Sequence, residues 1–231
     1  MRVDAFGDAE EMANQRITNG LAGVVTVAAW VWLYLFFHPR PPGIDRHLHA
    51  AVGERLAQEA GALREPGARL IVLARAPEPF QVPAAAAQLE GFLRAVKKSG
   101  QSPPIVRPLA LDPLRVVRVP PGDFYELMRQ GQDKDVIVSF LGPPPVLDAQ
   151  QLAKLGARRP RILAVCSGAM PEQVDLAKIF GQKLLLGAVV ERPDRPGRPT
   201  TDERRSSFDK VFKWITPANL SELPTAALNQ R

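Results

Sequence analysis

The sequence lacks the residue combinations that most well-known active sites require. It contains one cysteine, Cys166, so it cannot form an intramolecular disulfide, and the apolar run around this cysteine predicts burial. It contains no GxxxxGK[ST] loop, no GxGxxG, no CxxCH and no HExxH. These absences argue against P-loop nucleotide binding, a dinucleotide fold, covalent haem and zinc proteolysis. We therefore expect no catalytic residue, no metal site and no cofactor.

Histidine is scarce as well. His38, His47 and His49 all lie close to an N-terminal apolar segment, far in sequence from the "CSG" that holds the single thiol, so a Cys–His pair is not expected. Haem or metal ligation by His47 and His49 is an alternative, but rings two positions apart on a helix face different directions. Exposed or interfacial histidines explain the pattern better.

No strong excess of one charge is present. The formal net charge is +6, and basic residues are interspersed with acidic ones, so a nucleic-acid partner is not expected. Proline, by contrast, is abundant, with 23 residues concentrated in the connections. This distribution predicts stiff, extended joints between folded elements.

An uncharged apolar run, ITNGLAGVVTVAAWVWLYLFF, covers residues 17–37 after a polar tail over 1–16. At about 1.5 Å per residue, a helix of this length crosses a hydrocarbon core of roughly 30 Å, so the run predicts a transmembrane helix. Trp30, Trp32 and Tyr34 are placed as an aromatic belt at the membrane interface. A buried core helix is one alternative. A cleaved signal peptide is another, but the apolar run continues too far and its leader is too long and too acidic.

The side of the membrane follows less directly. One more basic residue flanks the run on its C-terminal side than on its N-terminal side, which slightly favours a cytoplasmic domain. A single N-terminal helix before a large domain is nevertheless more often a signal anchor with that domain outside. We expect a single-pass protein of a bacterial-type inner membrane with a periplasmic C-terminal domain.

Residues 38–68 combine a proline-rich joint with an amphipathic helix. Ile44, Leu48, Val52 and Leu56 recur at intervals of four and form one apolar stripe. This helix is expected to join the membrane segment to the domain.

From residue 69 to residue 190, short runs rich in Val, Ile and Leu alternate with helical stretches. The predicted strands are RLIVLARA, RVVRV, DVIVSFLG, RILAVCSG and KLLLGAVVE, and the predicted helices cover 83–99, 123–130, 148–155 and 171–181. Continuous apolar strands separated by helices are typical of a parallel sheet covered on both faces. The fold class is therefore α/β, a three-layer domain with a mainly parallel sheet. Residues 105–109 are a further candidate strand, interrupted by proline.

Ligands of open parallel sheets bind beyond the carboxyl ends of the strands. Two predicted strands end there in small residues: Gly142, and Ser167 with Gly168. Glycine permits unusual backbone conformations, and the amides after Ser167 could hold an anion at a helix N-terminus, so these three residues are the candidate ligand-binding positions. Turns after strands need the same residue types, which is the structural alternative. Asp135 and Asp148 flank the stretch and are expected to cap and solvate it.

The segments DVIVSFLGPPPV and RILAVCSGAMPEQVDLAKIF belong to a pattern over residues 69–191. This pattern resembles one lobe of a periplasmic substrate-binding protein, or a related flavodoxin-like domain. The resemblance implies the fold. Those receptors close two lobes around a ligand, whereas this chain has residues for one, so no binding residue is implied by position.

After the last predicted strand, residues 191–207 form a linker of charges, prolines and small polar residues. Apolar residues return over 208–231, where a helix and a tail are expected. Phe208, Phe212 and Trp214 are predicted partner-docking residues, because aromatic side chains dominate protein interfaces.

These features predict a non-catalytic, single-pass accessory or structural subunit of a larger membrane complex, for which respiratory and photosynthetic assemblies are common hosts. Its partners would be the lipid bilayer and other subunits of that complex, without a small-molecule ligand. The alternative is a membrane-anchored ligand-binding sensor or receptor domain related to substrate-binding proteins. An enzyme ranks third.

Overall fold

The computed structural model describes residues 7–37, 43–76, 82–110, 118–167, 170–192 and 208–223. The chain forms two units, one over residues 1–43 and one over residues 44–231.

The first unit contains one helix, α1 (Gly7–Phe37), whose side chains are described from Leu21 onward. All of these side chains are exposed, including Trp30, Trp32 and Tyr34. No helix in the described part of the chain is both long enough and apolar enough to cross a membrane. The structure therefore does not support the transmembrane helix expected over 17–37.

The second unit opens with a helix and then alternates strands and helices. Asp45 caps the first helix by accepting a hydrogen bond from the Leu48 amide at 3.0 Å, as N-cap side chains do. The elements in chain order are α2 (Arg46–Leu63), β1 (Leu70–Arg75), α3 (Pro83–Lys98), β2 (Ile105–Leu109), α4 (Pro121–Gln130), β3 (Val136–Ser139), α5 (Ala149–Leu155), β4 (Arg161–Cys166), α6 (Met170–Gln173), α7 (Leu176–Gly181), β5 (Gly187–Glu191), α8 (Phe208–Val211), β6 (Phe212–Ile215) and a 3₁₀ helix (Pro217–Glu222).

The strands form one six-stranded sheet in the order β2-β1-β3-β4-β5-β6. Neighbours among the first five strands are parallel, and β6 pairs antiparallel with β5. All of β3 is buried, and so is β1 up to its last residue, Arg75. Burial on both faces is what the unbroken apolar runs predicted.

Two separate cores lie on the two faces of the sheet. α2 and α3 cover one face, where Leu56 and Phe92 are fully buried. Helices α4 to α7 cover the other face, where Phe124 is fully buried. Ile137 and Val138 are both fully buried, and they belong to different cores. The three-layer α/β domain with a mainly parallel sheet is therefore confirmed.

Two glycines set the distance between α2 and α3. A Cβ atom at Gly91 would lie 2.3 Å from the Ala50 carbonyl oxygen, and one at Gly53 would lie 1.9 Å from the Gln88 carbonyl oxygen. Neither distance leaves room for a methyl group, because both neighbours are backbone atoms in a close-packed layer.

The second strand differs from the expected one. Of the predicted strand RVVRV, residues 115–117 lie outside the described residues, and Arg118 and Val119 are not in a strand. The strand is instead the proline-containing segment β2, all of which is exposed except half-buried Leu109. Because β2 is an edge strand, a proline there does not interrupt a ladder on its outer side.

Two prolines at the β2 edge, Pro104 just before the strand and Pro108 within it, occupy outward positions. The Leu109 carbonyl accepts a hydrogen bond from the Ala76 amide of the β1 side at 2.9 Å, so alternate residues direct their backbone groups toward β1 and away from it. Pro104, Val106 and Pro108 have the outward parity. Along this stretch Val106 is left as the single outward N–H donor, because proline has none.

The C-terminal segment forms the opposite edge of the sheet. The helix expected from residue 208 lasts four residues, and the chain then continues as β6. Phe212 pairs with Glu191 and Ile215 with Ala188. Phe212 and Ile215 are buried in opposite cores, as the alternation of a strand requires. The chain departs from the helical pattern because pairing with β5 supplies hydrogen bonds to the backbone groups of β6. Its apolar side chains are then buried on both faces of the sheet.

Candidate functional site

The strand order reverses at β1. The chain passes from β1 to β2 on one side and then returns to β3 on the other side. Sheets of this order bind ligands beyond the carboxyl ends of the strands at such a switch point. The last residue pair of the β1–β3 ladder is Leu73 with Ser139, so the candidate site begins just beyond these two residues. Residues 77–81, 111–117 and 168–169 in the loops of this edge lie outside the described residues.

Gly142 lies in the loop after β3 and is buried. Its φ angle is +95°, which a side chain would strain, and a Cβ atom there would lie 2.6 Å from the Met170 sulfur. Pro143 and Pro144 are buried beside it, and the Ser139 hydroxyl accepts a hydrogen bond from the Leu141 amide at 3.3 Å. Gly142 therefore lets the β3 loop pack against the start of α6. This contact is a structural role, and a direct ligand contact by Gly142 stays a prediction.

Ser167 directly follows β4, the neighbour of β3, and is half-buried. Its carbonyl accepts the Met170 amide at 3.4 Å, and Met170 is the first residue of α6. The structure thus places Ser167 and Gly142 on adjacent loops of one edge, as expected. Gly168 lies outside the described residues, so its ligand-binding role and that of Ser167 stay predictions.

Three arginines at this edge were missed by the sequence analysis. Arg75 ends β1 and is half-buried, and Arg118 is exposed with its Cγ 4.0 Å from the Cβ position of Gly142. Arg192 directly follows β5, and its buried Nε has no hydrogen-bond partner among the described residues. None of the three forms an ion pair with another described residue. The available signal was a charged residue at the end of an apolar strand, which Arg75 provides.

Burial removes Cys166 from consideration as a nucleophile. The thiol is completely buried at the end of β4, and this burial raises its pKa to about 12. A thiolate is the reactive form, so the group is inert at neutral pH. Among the described residues, no group of His, Cys, Asp and Glu is arranged to hold a metal ion.

The histidines of α2 take structural positions. His47 is exposed, whereas the His49 ring lies 6.1 Å from the Phe212 ring, edge to face. The His49 Nδ1 atom is also 3.5 Å from the Gln88 side-chain nitrogen. The two rings therefore face different environments, as their spacing predicts. His38 lies outside the described residues.

The two aspartates that flank the β3 stretch have different structural roles. Asp148 caps α5 by accepting the Gln151 amide at 2.7 Å. Asp135 is fully buried before β3 and accepts Nη2 of Arg69 at 2.5 Å and the Gln132 amide at 2.8 Å. Burial acts to raise the pKa of Asp135, but these hydrogen bonds and the Arg69 charge outweigh it and hold the pKa below its usual value.

The predicted docking residues face the domain itself. Phe212 is 1% exposed, and the half-buried Phe208 ring lies 5.8 Å from the Phe212 ring. The Trp214 ring fills the space that a side chain at Gly187 would need, and the Arg55 guanidinium lies 5.8 Å from its centroid. The three aromatics therefore complete one core of the domain, which removes the main support for an arm that wraps around other subunits.

No family model and no curated protein matches this chain. Solved structures of binding proteins do match. A carbohydrate transporter solute-binding protein from Agrobacterium radiobacter in complex with D-arabinose is 13% identical, with a TM-score of 0.41, over 77% of this chain and 61% of that one. An arabinose-binding protein from Geobacillus stearothermophilus is 12% identical, with a TM-score of 0.43, over 76% of this chain and 63% of that one. A galactofuranose-binding protein is 12% identical, with a TM-score of 0.41, over 77% and 60%.

The resemblance to substrate-binding proteins expected from the sequence is confirmed by these matches. This chain spans about three fifths of the length of each matched structure. The matches also correct two expectations, because the matched proteins are described as binders of small sugars and not as accessory subunits of a membrane complex. The accessory-subunit prediction and the expectation of no small-molecule ligand were therefore wrong. Similarity at this level assigns no particular ligand to this chain.

Proposed function

We propose that the α/β domain is a ligand-binding module whose site lies at the carboxyl edge of β1, β3 and β4. The observation that carries this proposal is the half-buried Arg75, which ends β1 at the switch point and has no ion-pair partner among the described residues. A guanidinium at this position offers several N–H donors to a bound molecule and has no hydrogen-bond acceptor of its own.

The chemistry of the described edge favours a particular class of ligand. Arg75, Arg118 and Ser167 supply hydrogen-bond donors, and the buried Nε of Arg192 adds a donor that lacks a partner among the described residues. Buried polar groups without partners are costly, and a ligand or ordered water normally satisfies them. We therefore propose a small polar ligand rich in hydrogen-bond acceptors, either hydroxylated or anionic.

A thermal-shift screen of the full chain in mild detergent tests this function. The panel contains neutral sugars and small organic anions. A ligand at about 100 times its Kd stabilises the folded state by ~2.7 kcal/mol, which raises Tm by roughly 5–10 °C for a domain of this size.

Arg75→Gln should abolish that shift. The matched control is Arg94→Gln, an arginine within α3 whose side chain is 59% exposed and pairs with Glu90 on the same helix. No shift with either class of ligand would contradict the proposal, and so would a shift that survives Arg75→Gln.

We further propose that α1 attaches this module to a membrane. The support is the exposed apolar surface over residues 21–37, where Trp30 is 71% and Phe37 68% exposed. Val27→Arg should release the chain from membranes on alkaline carbonate extraction, since a central arginine costs ~2.5–3.5 kcal/mol. Val82→Arg, in the domain, is the control. Equal retention of both variants would contradict the attachment.

A periplasmic position of the domain is part of the same proposal. It rests on the general preference of single N-terminal helices for carrying a large following domain outside. Alkaline phosphatase fused after the domain should be active in a bacterial host, because that enzyme folds only outside the cytoplasm. An inactive but stable fusion would place the domain inside.

A further inference from the structure

A second concave site lies at the opposite, amino edge of the sheet. It is a pocket of about 380 Å³ between the start of β4 and the segment that leads from α7 into β5. Arg159, Arg161, Gln182 and Lys183 line it together with apolar residues that include Leu186. This pocket is remote from the carboxyl-edge site, so nothing said about it depends on the proposed function above.

Positive charge is concentrated around this pocket. The stretch over residues 154–186 holds six Lys or Arg residues and two Asp or Glu residues. Of the pocket's cations, Arg161 is paired with Glu65 and also donates to the Leu63 carbonyl. Arg159 and Lys183 form no ion pair with any described residue. Two positive charges at the pocket are therefore uncompensated within the described structure.

The Arg159 guanidinium is held in place by backbone oxygens. Its Nε donates to the Gly156 carbonyl at 2.7 Å, and its Nη1 donates to the Gln182 carbonyl at 3.0 Å. Nη2 makes no hydrogen bond to the described residues. The guanidinium thus keeps donors available for an acceptor in the pocket, and its fixed position lowers the ordering cost of binding.

Lys183 occupies a backbone position that glycine normally takes. Its φ angle is +57°, the only positive φ of a residue other than glycine in the described chain. The Leu184 amide donates to the Ile179 carbonyl at 3.2 Å, the closing bond of a helix C-terminal motif whose left-handed residue is usually glycine. A lysine is strained there, so its presence points to a use for its charge.

The wall between these two cations is rigid. The Gln182 side-chain oxygen accepts the Leu147 amide at 3.0 Å, and its side-chain nitrogen donates to the Leu147 carbonyl at 2.7 Å. These two hydrogen bonds connect the end of α7 to the loop after β3. The pocket is therefore formed before any ligand arrives.

We propose that the amino-edge pocket binds a phosphate-bearing molecule. The planar guanidinium of Arg159 suits phosphate oxygens, and the Lys183 ammonium adds a second charge-assisted contact. The volume exceeds that of inorganic phosphate and lies in the range of small-ligand sites, and Leu186, 38% exposed, offers an apolar wall for the rest of the molecule. A soluble organic phosphate and the headgroup of an anionic phospholipid both have this chemistry.

Calorimetric titration of the full chain in neutral detergent tests the proposal. The probes are inorganic phosphate, glycerol 3-phosphate and dihexanoyl phosphatidylglycerol, with dihexanoyl phosphatidylcholine as the zwitterionic control. Saturable binding of glycerol 3-phosphate indicates a soluble ligand, and binding of the phosphatidylglycerol alone indicates a lipid headgroup. Either result supports the site. No saturable binding of any anionic probe, or equal binding of the phosphatidylcholine, overturns it.

Two variants and one control separate a built site from diffuse charge. Lys183→Asn removes the charge and tolerates the left-handed backbone, so affinity should fall roughly tenfold or more while Tm stays equal or rises. Arg159→Gln should weaken binding similarly. Lys178→Gln removes an exposed lysine on α7 that does not line the pocket. If that control weakens binding as much as Lys183→Asn, the pocket is not the site.

Discussion

The C-terminal strand should be part of the folding unit, and a pair of isoleucines on the two edge strands tests this directly. Ile215 on β6 is fully buried, whereas Ile105 on β2 is 48% exposed. Removing a buried isoleucine side chain to alanine costs ~2–5 kcal/mol through lost contacts and a cavity. Ile215→Ala should therefore destabilise the domain by that amount. Ile105→Ala should cost less than about 1 kcal/mol, because much of its surface already contacts water.

Truncation before α8 extends the same argument. It removes four buried side chains, Val211, Phe212, Ile215 and Leu223, each 5% exposed or less. At ~1.5–3 kcal/mol each, their loss amounts to about 6–12 kcal/mol, comparable to the whole stability of a typical domain. The truncated chain should therefore show no cooperative unfolding transition.

Urea unfolding of the three variants alongside the parent chain measures these effects. The assay follows tryptophan fluorescence for the point variants and circular dichroism for the truncation, which lacks Trp214. Equal midpoints for Ile215→Ala and Ile105→Ala would refute the reasoning. So would a truncated chain that unfolds cooperatively at the parental urea midpoint, since the C-terminal segment would then be an independent arm.

Three further predictions follow from the packing and the ionised groups. Asp135→Asn should cost about 2 kcal/mol at neutral pH. Because the folded pKa of Asp135 is lowered, its contribution is present above about pH 4 and is lost as the pH falls through that lowered value, so the variant should show less acid sensitivity than the parent in pH-dependent melts. Gly91→Ala should lower Tm although alanine favours helices, whereas Gly122→Ala, with open space around its Cβ position, should leave Tm unchanged or higher. Cys166 should react with a thiol reagent only at the rate of unfolding; rapid labelling of the native chain would contradict its burial.

The sequence was most informative where local pattern and tertiary burial agree. The apolar runs of β1, β3, β4 and β5 are continuous because helices cover both faces, so strand positions and fold class could be read directly. β2 could not, because an exposed edge strand needs no apolar pattern and accepts proline. The length of the C-terminal helix was overestimated for a related reason. Apolar residues at 208, 211, 212 and 215 fit a helical face. Residues 212–215 form a strand instead because they can pair with β5, which the local sequence pattern does not show.

The candidate site was partly predictable. Small residues after β3 and β4 indicated the carboxyl edge of the sheet as the candidate site, and the structure brings Gly142 and Ser167 onto neighbouring loops of that edge. The sequence could not show that Gly142 packs against Met170, because this contact joins the loops that follow two different strands. It also could not show the amino-edge pocket. In the sequence, Lys183 looks like any surface lysine, because only the structure gives its positive φ angle.

Pro104 and Pro108, the outward prolines at the β2 edge, affect how the protein behaves at high concentration. A sheet with a free edge can grow by adding strands from other molecules, and that growth is the first step of cross-β aggregation. At one end of this sheet the edge strand is β6, which is only four residues long and so offers few backbone groups for pairing. At the other end, the β2 edge offers Val106 as its single donor between two prolines. The high proline content noted in the sequence thus acts here as protection against polymerisation, independent of any effect on the fold itself.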